Sequence, residues 1–161
     1  TNWLSVCQIL ESMDTEQARW RPAPEAWSAL EVLNHLADEE RDDFRARLRH
    51  LHTGSTEPWP TIDPAGWVFS RAYNARELGL SLDRFIGERE ESLAWLGKAT
   101  AAGINWDRCY TYPPLSGLRA GDLLAAWAAH DLLHLRQLVE LKWAYSQAQA
   151  RDYSAAYAGD W

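Results

Sequence analysis

Histidines are the residues of this chain whose type and spacing suggest chemistry. His130 and His134 are four residues apart, so on one helix they lie one above the other on a single face. Two imidazoles at that spacing can bind one metal ion, and His35, beside the apolar stripe of an earlier helix, can supply a third nitrogen ligand. A packed, hydrogen-bonded histidine group is the alternative. His50 and His52 instead end a helix, where positive side chains complement the helix dipole.

A site of three neutral imidazoles and no carboxylate would leave a divalent ion with an open coordination position. That pattern is typical of catalysis, because structural zinc sites close with four protein ligands. An open divalent ion lowers the pKa of a bound water to about 7, or holds a bound thiol as its thiolate. Nitrogen ligands suit zinc, nickel, iron(II) or copper, so the spacing leaves the identity of the single metal ion open.

Two better-known metal motifs do not fit. The segment HDLLH at residues 130–134 has Asp131 where the zincin motif has its catalytic glutamate, and unbroken helix follows it. A di-iron carboxylate bundle needs Glu-x-x-His pairs and further glutamates on facing helices. Glu31 stands four residues before His35, and no glutamate lies around His130. A zincin protease is therefore excluded, and a di-iron protein is not expected.

The composition predicts an all-α fold. The chain has 161 residues, so we expect a single domain over residues 1–161. It contains 24 Ala and 21 Leu against 4 Val and 4 Ile, so unbranched helix formers dominate. Four helices are predicted, over residues 3–19, 28–51, 70–98 and 119–147. Because long connections at 54–66 and 100–117 join these helices, we expect a four-helix bundle with long crossover connections.

The last predicted helix is apolar nearly all round, which is typical of a helix that is central or shared with another subunit. One of its faces is a candidate homodimer seam, formed by Leu132, Leu135, Val139 and Trp143. The alternative is that the long connections cover it, or that the aromatic tail at residues 147–161 does, through Tyr153, Tyr157 and Trp161. A bulky core is expected around Trp27, Trp95 and Trp127.

Charge and cysteine content exclude several classes of protein. With 16 basic and 23 acidic residues the net charge is −7, so neither nucleic acid nor an anionic membrane is an expected partner. The mixed charges of residues 39–49 are interpreted as a solvated helix face. Cys7 and Cys109 are far apart, which fits a reducing cytoplasm, and no apolar run reaches the ~18 residues of a membrane span.

Two sequence blocks resemble the DinB/YfiT-like family. The first is RPAPEAWS at residues 21–28 followed by EVLNHLADEER at residues 31–41, and the second is AHDLLHLRQL at residues 129–138. The resemblance covers nearly the whole chain. It implies a four-helix bundle, often a homodimer, in which His35, His130 and His134 bind one divalent metal ion. It also implies a metal-dependent transferase that uses a low-molecular-weight thiol.

Other residues are candidates for supporting roles around such a site. Asp38, Glu39 and Asp131 could orient the ligand imidazoles, although solvated carboxylates are the alternative and the favoured one for Glu39. Gln137, one turn after His134, either lines the pocket or packs. A lid over the site could come from the second long connection, through Tyr110 and Tyr112.

The sequence thus favours a thiol S-transferase acting on small electrophiles, in which the metal stabilises the thiolate. A metal-dependent hydrolase of a small molecule would use a metal-bound hydroxide instead and need no thiol. A non-enzymatic small-ligand-binding stress protein would be stabilised by its ligand without turnover.

Overall fold

All regular elements of the chain are helical in the computed structural model, which describes residues 2–159. Within that range the extended pairing consists of one antiparallel bridge between Cys109 and Arg119, so the all-α prediction is confirmed. No helix in this part of the chain has the length and apolar character needed to cross a bilayer. The helices are, in chain order, α1 (Asn2–Glu11), α2 (Thr15–Arg19), α3 (Ala29–Asp38), a π-helical segment (Glu39–Phe44), α4 (Arg45–Thr53), α5 (Pro64–Ser70), a 3-10 turn (Tyr73–Ala75), α6 (Leu78–Ala101), α7 (Ala120–Ala150) and a second 3-10 turn (Ala156–Ala158).

The predicted first helix, residues 3–19, is two helices in the structure. α1 ends at Glu11, and the side chain of Asp14 accepts a hydrogen bond from the backbone N–H of Gln17 at 2.8 Å. Because this aspartate satisfies an otherwise unpaired N–H at a new helix start, the chain begins again as α2. α1 packs along α7, and α2 packs on α3.

The predicted third helix, residues 70–98, begins later than expected and follows a short extra helix. Asp63 caps α5, and Pro64 occupies its first position, where the missing N–H has no helical partner to lose. Ala72 has a left-handed φ of 49° and ends this segment. Glu77 then accepts hydrogen bonds from two backbone N–H groups at the start of α6, which fixes its beginning at Leu78.

α3 is the central helix of the fold. Ser28 and Glu31 form the expected capping box, with Ser28 Oγ accepting from the Glu31 N–H at 3.2 Å and Glu31 accepting from the Ser28 N–H at 2.8 Å. All ten residues of α3 are buried, because α2, α5, α6 and α7 contact it. The sequence pattern predicted the last helix to be central or shared with another subunit. In the structure α7 leaves Leu132 and Leu133 53% and 56% exposed.

The π-helical segment joins α3 to α4 without an intervening loop. The charged residues 39–49, which begin in this segment, were predicted to form a solvated helix face; that prediction is wrong for four of them, whereas Arg41 is exposed. Two of the buried ones are paired with α6: Glu40 bonds Arg89, and the Arg45 guanidinium of α4 donates to the backbone oxygen of Glu88 at 2.7 Å and to Ser92 Oγ at 3.1 Å. Such partners, remote in the sequence, explain why charges that look solvated are covered in the fold. The buried members of the run are Glu39, Glu40, Asp43 and Arg45.

Two hydrophobic clusters hold the helices together. The first joins α1 and α3 to α6 and α7 through side chains such as Leu10, Leu33 and Leu138. The second surrounds α4 and the first turns of α7 and includes Phe44 and Trp127. Of the tryptophans expected in the core, Trp127 is buried, whereas Trp27 and Trp95 are partly buried and pack against the clusters.

The C-terminal tail does not cover α7 in the part of the chain that the structure describes. Tyr153 is 84% exposed, Tyr157 is also exposed, and Trp161 lies outside the described residues. In the candidate dimer seam, Leu135 packs against the first hydrophobic cluster, whereas Leu132 faces solvent. Part of the candidate seam is therefore covered by this chain itself.

Candidate metal centre

The three histidines singled out by the sequence meet between α3 and α7. His35 comes from α3, and His130 and His134 come from successive turns of α7. One ligand atom of each histidine lies within 4.8 Å of those of the other two. The ring centroids are 5.4 Å apart for His35 and His130, 4.8 Å for His35 and His134, and 4.4 Å for His130 and His134. The group could therefore hold a metal ion.

Aromatic side chains pack against the histidine group on two sides. The ring of Trp27 lies 5.0 Å from that of His35, and the ring of Phe44 lies 5.2 Å from that of His130. Phe44 also stacks on Trp127 with an interplanar angle of 5°. Phe44 is the last residue of the π-helical segment, so this irregular turn places one wall of the site. Such π turns are frequent at functional sites.

Gln137 fixes the proton of one candidate ligand. Its side-chain oxygen lies 2.8 Å from Nδ1 of His134. An amide oxygen only accepts hydrogen bonds, so Nδ1 carries the proton and Nε2 keeps its lone pair. That Nε2 faces Nε2 of His130 at 3.1 Å. The hydrogen bond therefore selects the tautomer of His134 whose free nitrogen points into the histidine group.

All three histidines are neutral at physiological pH. Burial, with repulsion from the neighbouring imidazoles, lowers the pKa of His35 to about 3. Burial likewise lowers the pKa of His130 to about 4. The pKa of His134 is also lowered by burial, although its hydrogen bond to Gln137 opposes the shift. Neutral imidazoles have free lone pairs, which is the state in which histidine binds metals.

Two features of the donor atoms fit a divalent metal ion. Two nitrogens bound to one tetrahedral zinc at about 2.0–2.1 Å lie about 3.3 Å apart, close to the 3.1 Å between the Nε2 atoms of His130 and His134. In addition, Nδ1 of His35 is buried and has no hydrogen-bond partner among the described residues. An unpaired buried polar atom costs about 1–3 kcal/mol, and binding of a metal ion by this nitrogen would remove that cost.

A buried arginine ties the turn that carries His130 to two other elements. Arg89 of α6 donates to both carboxylate oxygens of Asp131 at 2.7 Å and also bonds Glu40. Trp127 donates to Glu40 at 3.1 Å. Asp131 was considered as a group that orients an imidazole. Its hydrogen bonds go to Arg89 instead, so it anchors the helix next to the ligand rather than the ring.

Asp38 and Glu39 also have other partners than the histidines. Asp38 is buried and accepts hydrogen bonds from Tyr73, Arg71 and Arg84, with the Arg71 contact at 2.5 Å. These contacts tie the end of α3 to α6 and to the chain before it. Glu39 is buried rather than solvated, and burial together with the neighbouring Asp43 raises its pKa to about 8.

The two tyrosines considered as a lid hold the long connections together. Tyr110 is buried, stacks on Trp59 with centroids 3.7 Å apart, and accepts a hydrogen bond from the Trp59 backbone N–H at 2.9 Å. Tyr112 donates to the backbone oxygen of Thr56 at 2.6 Å. Each tyrosine thus bridges the second long connection to the first. Among the described residues, neither makes a ring contact or hydrogen bond with the three histidines.

A cavity of about 610 Å³ opens directly beside the histidine group. This volume is in the range of sites for small organic ligands. One wall comes from the chain before α3 and the other from α7, so His134 and Gln137 lie on its surface. Its lining includes Trp27 and Leu141 as apolar side chains and Glu25 and Glu140 as acidic ones.

Sequence reasoning missed three residues that shape the site. Phe44 has the helical spacing of an ordinary apolar stripe with Leu48 and Leu51, and the π turn that changes its direction has no distinct sequence signature. Arg89 looked like one of several charges on α6, and only its partners from other elements distinguish it. Glu25 stands between Pro24 and Ala26 in a block whose side-chain directions depend on the fold.

Comparison with known proteins assigns the chain to a family. The family model described as the DinB superfamily matches residues 2–138, which include all three histidines and Gln137. No curated protein matches the chain significantly. The matched region covers most of the chain, and it contains both blocks on which the resemblance was based. The chain belongs to the DinB superfamily.

Proposed function

We propose that this protein is a divalent-metal-dependent enzyme that transfers a low-molecular-weight thiol to small electrophiles. The observation that carries the proposal is the convergence of three neutral imidazoles, two of them with Nε2 atoms 3.1 Å apart, beside a cavity of about 610 Å³. His35, His130 and His134 would hold the ion, which is zinc, nickel or iron(II). The set contains no carboxylate, so the ion would keep its positive charge and an open position.

Each residue of the site has a distinct task in this proposal. A bound divalent ion supplies positive charge that stabilises a thiolate at neutral pH. Gln137 holds the proton on Nδ1 of His134, and the Arg89–Asp131 pair fixes the turn that carries His130. Trp27 and Phe44 lie against the imidazoles and would limit the access of water to them, which would strengthen the attraction between a bound ion and an anionic sulfur.

Metal content is the first test. We expect about one equivalent of divalent metal per chain in gently purified protein, and its loss in His130→Ala. His52→Ala is the matched control, because His52 contacts Trp95 at a ring distance of 6.2 Å and is not part of the histidine group. Circular dichroism would show that both variants fold. A protein that binds no metal after incubation with zinc, nickel and iron(II) would refute the proposal.

The reaction type is tested with the metal-loaded protein. We expect conjugation of a model electrophile such as 1-chloro-2,4-dinitrobenzene with at least one of a panel of cellular thiols. The reaction should disappear after chelation. Hydrolysis of ester substrates at a rate independent of added thiol would favour the hydrolase instead. Ligand-induced stabilisation without any turnover would favour a binding protein.

The architecture and assembly are part of the same proposal. The long helical units α1–α2, α3–α4, α6 and α7 would form a four-helix bundle, as one domain over residues 1–161. We also propose a homodimer in a reducing cytoplasm, supported by the exposed Leu132 and Leu133 on α7 and by the unpaired Cys7 and Cys109. Light scattering should give twice the chain mass, and Leu132→Ser with Leu133→Ser should give the chain mass.

A further inference from the structure

The charged groups on the cavity beside the histidines are all acidic. Glu25 and Glu140 line it, and no lysine or arginine belongs to the lining among the described residues. Both carboxylates lie on the same cavity as His134, where a ligand would meet the proposed metal. A ligand in this cavity is therefore exposed to negative potential from the protein. The positive charge of the proposed ion would act only at the edge of the cavity that His134 forms.

Neighbouring cations do little to cancel this charge. Glu140 pairs with Arg136 at 3.3 Å, but the two side chains are 46% and 71% exposed. Pairs of that kind are worth at most about 1 kcal/mol in water. Glu25 forms no ion pair with any described residue. The nearest arginine in sequence, Arg21, is used by the buried carboxylate of Glu31.

The remaining lining suits a cation attached to an apolar group. Trp27 presents the type of ring that attracts cations most strongly through its negative face. Leu141 and Ala144 supply apolar surface on the opposite helix, and the Gln137 amide is a further polar group. An aromatic wall combined with two carboxylates is a composition that recognises organic ammonium groups.

We infer that this cavity selects small ligands that carry an ammonium or other cationic group on an apolar body, and that it disfavours anionic ones. The inference rests on the proposed function in taking the cavity as the place where substrate meets the metal. Of the thiols and electrophiles the enzyme encounters, amine-bearing ones are then used in preference to carboxylate-rich ones. The charge on the cavity, rather than the metal, sets that preference.

Three probes of similar size and different charge test the inference: 2-phenylethylamine, 2-phenylethanol and 3-phenylpropionate. Their affinities for the full chain are measured by calorimetry at pH 7.5, before and after chelation of metal. The chelated arm matters because a carboxylate can bind the ion directly. We expect the amine to bind about fivefold or more tightly than the alcohol, and the carboxylate to bind most weakly in the chelated protein. The difference should shrink at 1 M salt, where exposed charges are screened.

Charge-removing variants assign the preference to the cavity. Glu25→Gln and Glu140→Gln should each weaken amine binding about 2- to 5-fold and leave alcohol binding unchanged. Glu90→Gln removes the same charge from an exposed position on α6 away from the cavity, and should change neither. Equal affinity for amine and alcohol would overturn the inference, as would no binding of any probe or an equal effect of Glu90→Gln.

The two proposals fail in different ways. If metal-dependent conjugation is present but the amine has no advantage, the inference is wrong and the proposed function stands. If the amine advantage and its loss in Glu25→Gln are present but the protein takes up no metal, the proposed function is wrong and the cationic preference is supported.

Discussion

Replacing Gln137 with leucine tests whether the histidine group is organised for a metal. The substitution keeps the approximate size of the side chain but removes the oxygen that lies 2.8 Å from Nδ1 of His134. The proton on Nδ1 then has no fixed partner, and the imidazole is free to rotate or to change tautomer. Either change moves the lone pair on Nε2 away from the point where the three histidines converge.

The expected loss of metal affinity is about 10- to 100-fold, the usual effect of removing the group that orients a ligand histidine. In free energy this is about 1.4–2.7 kcal/mol. The hydrogen bond itself supports that range. Its net worth is about 0.5–1.5 kcal/mol, and the half-buried N–H left without a partner adds about 1 kcal/mol or more. Gln137→Glu should instead preserve the affinity, because a carboxylate accepts the same hydrogen bond.

The assay is competition between the protein and a chromophoric chelator for zinc at pH 7.5. Gln149→Leu is the matched control, since Gln149 is exposed on the same helix and is remote from the histidines in sequence. Equal melting temperatures of the metal-free proteins would show that the fold is intact. A zinc affinity of Gln137→Leu within twofold of the wild type would refute the reasoning about the tautomer of His134.

Three further predictions concern the groups around the site. Arg89→Leu should lower the free energy of unfolding by about 3–5 kcal/mol in urea titrations, because it leaves two buried carboxylates unpaired; a loss below 1 kcal/mol would contradict this. Glu39 beside Asp43 has a pKa raised to about 8, so the folded state retains a proton that the unfolded chain releases near pH 4.5, and stability should fall as pH rises between these values. Glu39→Gln should therefore match the wild type at pH 5 and exceed its unfolding free energy by about 1–3 kcal/mol at pH 9, whereas parallel pH curves would count against a buried proton. Tyr110→Phe removes the acceptor for the Trp59 N–H and should lower the free energy of unfolding by about 1 kcal/mol without changing zinc affinity. A change in zinc affinity would instead support a role for Tyr110 as a lid over the histidines.

Local sequence signals predicted the parts of the fold that depend on local chemistry. The four-residue spacing of His130 and His134 fixes them on one face of any helix, and the Ser28–Glu31 capping box depends on residues three apart. Asp14 had the same capping chemistry, but the predicted helix over residues 3–19 ran through it.

The rest of the site depends on partners that are distant in the chain. Glu40 is buried because Arg89 and Trp127 reach it from other helices, and a charge pattern in sequence cannot show that. The role of Gln137 depends on the tautomer of a neighbouring ring, which only the hydrogen bond reveals. The exposure of Leu132 likewise follows from which neighbours α7 has, not from its own pattern.

The π-helical segment Glu39–Phe44 changes the angular register between α3 and α4, which it joins into one continuous helix. An ordinary helix advances about 100° per residue, and a π turn holds about one residue more than an α turn, so α3 and α4 keep different angular registers on one axis. His35 faces the metal position in the first register, and Phe44 closes against His130 in the second. If the same residues formed a uniform α-helix, Phe44 would lie about 100° further around the axis relative to His35, so the ligand and its wall could not both face the site.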